Sequence, residues 1–138
     1  MRTPHALHAT LLISVLLGLA TTAVAQSELP KAMKGSWSGV SERNTPFNGS
    51  MSVTIDKQNP DGSIEGKMTT SGQLCAMKDE PMTGRFDGTV LTLQAEYRPL
   101  VPQASCGKAT FVLKRSGSGF EGEIPGSRLR LKVSLAPS

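Results

Sequence analysis

Histidine is almost missing from this chain: the 138 residues hold two, His5 and His8, and both fall in a leading segment with the marks of a cleaved one. Arg2 opens it, Leu11 to Ala20 form an apolar core, and Ala23-Val24-Ala25 is a small-x-small cleavage site before Gln26. That is the pattern of a secretory signal peptide over residues 1–25, too short and wrongly flanked for a membrane span. Once it is removed no histidine remains. Ser-His-Asp and Cys-His mechanisms are then excluded, as are His-ligated zinc and copper sites. Aromatic residues are also few, at four Phe, one Tyr and one Trp. They do not alternate with the cations, so there is little from which to build a stacking surface for nucleic acid. Nor does either charge dominate. Fifteen Lys and Arg face eleven Asp and Glu for a net charge of +4, reduced by one when Arg2 is lost. The signs alternate along the chain, as on a solvated surface. A secreted or periplasmic protein with no membrane span and no nucleic-acid partner is expected.

What is present is alternation of period two. Met51, Val53 and Ile55 alternate with Ser50, Ser52, Thr54 and Asp56, and Leu91, Leu93, Ala95 and Tyr97 with Thr92, Gln94, Glu96 and Arg98. Leu129, Leu131, Val133 and Leu135 alternate with Arg128, Arg130, Lys132 and Ser134. Such spacing marks half-buried strands, and no stretch after Gly35 has helical spacing over ten residues. Eight strands are predicted, at about 35–41, 50–57, 62–70, 82–87, 89–98, 107–115, 118–124 and 127–135. Asp87-Gly88, Asn59-Pro60-Asp61-Gly62 and Ser116-Gly117-Ser118 supply turn chemistry between them. Residues 26–34 form a lead-in, with room for a helical turn, and residues 35–138 a single β domain. The fold class is all-β: an eight-stranded antiparallel up-and-down barrel, whose closure removes exposed sheet edges.

Two cysteines, Cys75 and Cys106, remain in an exported chain. One disulfide between them is the natural reading, ahead of free thiols or a metal pair. In an up-and-down meander alternate connections share an end. The long ones, 42–49, 71–81 and 99–106, therefore gather together and carry both cysteines. A rigid scaffold with loops clustered at one end places a binding site there. Its candidate residues are Arg43, Phe47, Lys78, Arg98, Leu100 and Val101. Leu100 and Val101, bracketed by Pro99 and Pro102, would be exposed apolar anchors, with the three cations setting orientation and charge preference.

Residues 35–68 resemble the opening of the calycin barrels, the lipocalin and avidin-like families. Gly35-Ser36-Trp37 matches their first-strand Gly-x-Trp. Asn48-Gly49-Ser50-Met51-x-Val53-x-Ile55, followed by Gly62-x-Ile64-x-Gly66, is similar to the avidin second and third strands. The resemblance covers about a third of the mature chain. It implies a barrel with Trp37 packed at the closed end. Avidin-like biotin pockets are walled by several tryptophans, whereas this chain has one, so biotin is not an expected ligand.

Carboxylate chemistry survives the loss of histidine, but weakly. Glu121 and Glu123 sit on an outward strand face and Asp79-Glu80 in a long loop. Neither pair spans the cleft that glycoside hydrolysis requires. Met51 and Met68 fill core gaps, and Met77 and Met82, near Cys75, show no clustering tight enough for a Cu(I) site. No cofactor, metal or catalytic residue is expected. Arg128, Arg130 and Lys132 would form a cationic ladder on the outer face, with Lys114 and Arg115 two strands away. That face is the alternative site, suited to anionic lipid or glycan, although it also discourages strand pairing with other molecules. The expected function is that of an exported, non-enzymatic barrel binding a protein partner or a small ligand at its long-loop end. Inhibition of a secreted hydrolase is the alternative. An apolar internal cavity would favour the small ligand, and a filled interior the protein partner.

Overall fold

The computed structural model describes residues 27–125 and 130–138. The expected signal peptide and Arg128 lie outside these, and Arg130 is described only as part of its strand. Eight long strands close into one antiparallel barrel: β1 (Ala32–Val40), β2 (Pro46–Gln58), β3 (Ser63–Thr70), β4 (Cys75–Phe86), β5 (Val90–Glu96), β7 (Lys108–Ser116), β8 (Gly119–Glu123) and β9 (Arg130–Pro137). A two-residue strand, β6 (Arg98–Pro99), pairs with Cys75 and Ala76 at the start of β4. Each long strand pairs with its sequence neighbour, and β1 with β9 closes the ring. The up-and-down order and the disulfide are as expected, and the Cys75–Cys106 sulfurs are bonded.

The period-two pattern builds the core directly. Met51, Val53 and Ile55 on β2, Leu91, Leu93 and Ala95 on β5, and Ala109, Phe111 and Leu113 on β7 are all buried. Their polar neighbours face water. The interior fills most densely at the end bearing the short turns after β2, β4 and β7. There Phe86 meets Phe120 edge to face, with ring centroids 5.7 Å apart. The Arg115 guanidinium stands 5.5 and 5.3 Å from the two ring centres and donates to Ser27 Oγ at 3.1 Å. Arg115 therefore belongs to this closed end, not to an outer cationic face. It is the last inward position of β7, where the side chain turns across the barrel floor. Leu29 is 4 % exposed, and its amide is fixed by Gln58 Oε1 at 2.9 Å. The lead-in thus seals the barrel as irregular chain, without the expected helical turn, and β1 starts at Ala32 instead of Gly35.

The greatest departure from expectation is in β4. Residues 71–81 were expected as a long loop, yet only 71–74 are loop and the strand begins at Cys75. Met77 and Met82, both buried, lie an odd number of residues apart, so no single alternation joins them. A bulge resolves the mismatch. Pairing shifts between Met68–Glu80 and Thr70–Met77, and Asp79 takes a positive φ of 49°. The Thr69 hydroxyl accepts the Asp79 amide at 3.0 Å, and the Thr70 hydroxyl the Met77 amide at 3.2 Å. Asp79 and Glu80 are accordingly strand residues.

The short turns are set by carboxylates. Asp87 Oδ1 accepts the amides of Val90 and Thr89 at 2.7 and 2.8 Å, while Gly88 supplies the positive φ of 98°. Those amide bonds hold the Asp87 carboxyl below its ordinary value of 3.8. Bonds from the Ser63 hydroxyl and amide do the same for Asp61. A depressed carboxyl contributes stability above its unfolded value and loses it as pH falls through its folded value. Both turns should therefore be intact at neutral pH and weaken only below 3.8. Carboxyl NMR titration should give midpoints under that value for Asp61 and Asp87; midpoints at or above it would contradict this account of the turns.

Candidate functional site

Toward the opposite end the packing gives out. At the end that also carries the 41–45 turn, the connections 71–74 and 97–107 border a cavity of about 930 Å³. Its walls include Trp37 from β1, Phe47 from β2, Tyr97 after β5, Ala109 from β7, Ile124 after β8 and Leu131 from β9. Leu74 and the Cys75–Cys106 disulfide form part of the rim. Each wall residue continues the inward alternation of its strand past the last fully buried side chain. The cavity is the upper half of the same interior whose lower half is filled.

Trp37 is at this open end, which corrects its expected place at the closed one. β1 starts early, so Met33 takes the deep inward position, Gly35 the next, and Trp37 the one facing the cavity. Its cross-strand partner is Gly49, where a Cβ would collide with the indole ring and with Ser71 Oγ. Glycine there lets the ring lie on bare backbone. Phe47 meets the indole edge-on with centroids 5.7 Å apart. The indole Nε1 is buried and has no hydrogen-bond partner, an arrangement that costs roughly 1–3 kcal/mol. Tyr97 is the second aromatic with a polar handle. Burial pushes its phenol above the ordinary 10.0, opposed in part by a hydrogen bond with Thr70, so it remains a protonated donor at neutral pH.

Of the six residues expected at the loop end, only Phe47 lines the cavity. Arg43 lies exposed in the 41–45 turn, its amide on Ser41 Oγ at 3.3 Å. Lys78 is exposed on β4, not in a loop. Arg98 is engaged by carboxylates, Glu80 at 3.3 Å and Glu96 at 3.8 Å. Leu100 is 55 % exposed and its amide reaches Leu74 O at 2.8 Å, while Val101 is half-buried rather than fully exposed. The residues missed were Trp37, Leu74, Tyr97, Ala109, Ile124 and Leu131. Four of them carry a detectable signal, being the last or first inward positions of their alternating runs beside the long loops.

The alternative outer face is a smaller depression of about 460 Å³ bordered by Ser36, Ser38, Glu121, Glu123, Lys132 and Ser134. Lys132 lies directly across from Glu123 and Lys114 from Glu121. Carboxylates therefore interleave with these cations and offset the positive field. Among the described residues no three His, Cys, Asp or Glu side chains converge as metal ligands, and no helix is long and apolar enough to cross a membrane. The chain matches no protein-family model, no curated protein and no solved structure. Its class rests on geometry: a closed eight-stranded antiparallel barrel, packed at one end and hollow at the other.

Proposed function

We propose that the chain is an exported, non-enzymatic binding protein of calycin type that takes a small apolar ligand into the open end of the barrel. The cavity of about 930 Å³ carries this reading. It is of the size of small-molecule sites, which are typically concave, mostly apolar and fitted with a few polar groups. The Cys75–Cys106 disulfide is compatible with an oxidising, extracellular compartment. Contact with a partner protein at the rim is the second reading, favoured by the exposure of Leu74 and Leu100 at 62 % and 55 %. Two leucines make a small patch beside a cavity of this volume, so the small ligand takes precedence.

Trp37, the only tryptophan, is a built-in reporter. Titration with N-phenyl-1-naphthylamine, an uncharged apolar probe, should saturate at one probe per chain and change Trp37 emission. Ile124→Lys, which sets an ammonium into the wall, should abolish binding while leaving the barrel folded. A probe that fails to saturate, or that binds Ile124→Lys equally well, would count against the cavity. Leu100→Asp should bind the probe unchanged; a loss there would move the site to the rim.

A further inference from the structure

On the reading that the cavity is a ligand site, we infer that it selects apolar molecules bearing a carbonyl or carboxylate oxygen and discriminates against alkylammonium ions. Beside the amides and hydroxyls of Asn48, Ser71, Gln73, Ser105 and Thr110, the wall holds one buried donor that lacks an acceptor. Trp37 Nε1–H is buried without a partner, and an indole nitrogen can only donate. Thr70, 2 % exposed, is already engaged as acceptor of the Met77 amide at 3.2 Å. The Tyr97 hydroxyl, in the cavity wall, stays protonated at neutral pH and can donate to a ligand. The described lining contains no Asp or Glu, and its one charged residue is the rim cation Lys108. An ammonium drawn inside would find no counter-charge and would lose its hydration, a costly combination. A carbonyl oxygen would satisfy the orphaned indole donor, and a carboxylate would in addition have Lys108 at the mouth. The indole rests on the bare backbone of Gly49 and against Phe47, which hold it in the cavity wall.

Because the chain has one tryptophan, its indole Nε1–H gives a single peak in a ¹H–¹⁵N spectrum. In the free protein that peak should lie upfield, where an unbonded indole resonates. Addition of 2-octanone or octanoate should move it downfield, whereas octylamine of equal chain length should not. By calorimetry, octylamine should bind about tenfold or more weakly than 2-octanone, since a buried unpaired charge is disfavoured. Trp37→Phe keeps an aromatic wall and removes the donor. It should weaken 2-octanone by about fivefold to tenfold, the worth of one hydrogen bond, whereas Leu100→Asp, outside the cavity lining, should bind 2-octanone as the parent chain does. Equal binding of ketone and amine, or an indole peak unmoved by the ketone, would overturn the selectivity while leaving the cavity standing. Failure of every compound, the uncharged probe included, would overturn the ligand site together with its selectivity.

Discussion

Phe120→Ala should lower the stability of the barrel by about 3–5 kcal/mol, the usual cost of deleting a buried phenylalanine. Phe120 is fully buried and its removal acts on three partners at once. Phe86 loses its edge-to-face neighbour at 5.7 Å, and Arg115 keeps one aromatic ring of the two beneath it. The lead-in, tied to Arg115 through Ser27 Oγ at 3.1 Å, loses part of that support. Since whole domains are stable by only about 5–15 kcal/mol, the variant should unfold at much lower urea concentration with an unchanged slope. Trp37 lies at the other end and reports the transition without touching the substituted site. A loss below about 1 kcal/mol would mean that the closed end is not a packed seal.

Replacing both cysteines by alanine should cost a further large amount, about 3–4 kcal/mol on the chain-entropy account of cross-linking. The bridge closes 31 residues of sequence, between the first residue of β4 and the end of the 97–107 connection. Without it that connection is held by the two β6 pairings, by Leu100 N to Leu74 O at 2.8 Å and by Tyr97 N to Gly107 O at 3.0 Å. The double variant should therefore still fold, with the loss concentrated in the unfolded-state reference. Urea denaturation under non-reducing conditions measures it. A change of less than about 1 kcal/mol would show that the rim is ordered by its hydrogen bonds and that the disulfide adds little.

Most of the architecture was legible because alternation along a strand and turn chemistry are local signals. Asp87-Gly88 predicted its hairpin, and the buried runs of β2, β5 and β7 were read residue by residue. The disulfide followed from having two cysteines in a chain expected to be exported. What escaped was whatever depends on phase or register. The bulge at Asp79 breaks the alternation of β4, so residues 75–81 look like loop although Met77 is buried to 1 % exposure. The start of β1 at Ala32 shifts Trp37 by one inward position and so transfers it from the seal to the cavity. The seal itself is made by Arg115 and Leu29, a cation and a lead-in residue whose roles appear only when three strands converge. The hollow end coincides with the end where the sequence gathers the long loops, but the sequence pointed to loop tips. The cavity is formed instead by the terminal inward positions of the strands.

Closure through β1 and β9 has a kinetic consequence. Seven of the eight seams of the barrel join strands adjacent in the chain, and such local hairpins can form early. The eighth, from Met33–Pro137 to Val40–Arg130, brings together segments about a hundred residues apart, at a much larger loop-closure entropy. Leu131, on the strand that completes this seam, is also a wall of the cavity. The hollow end should thus be the last part of the molecule to acquire its shape during folding. A bound ligand that touches Leu131 would act chiefly by slowing the separation of β9 from its neighbours.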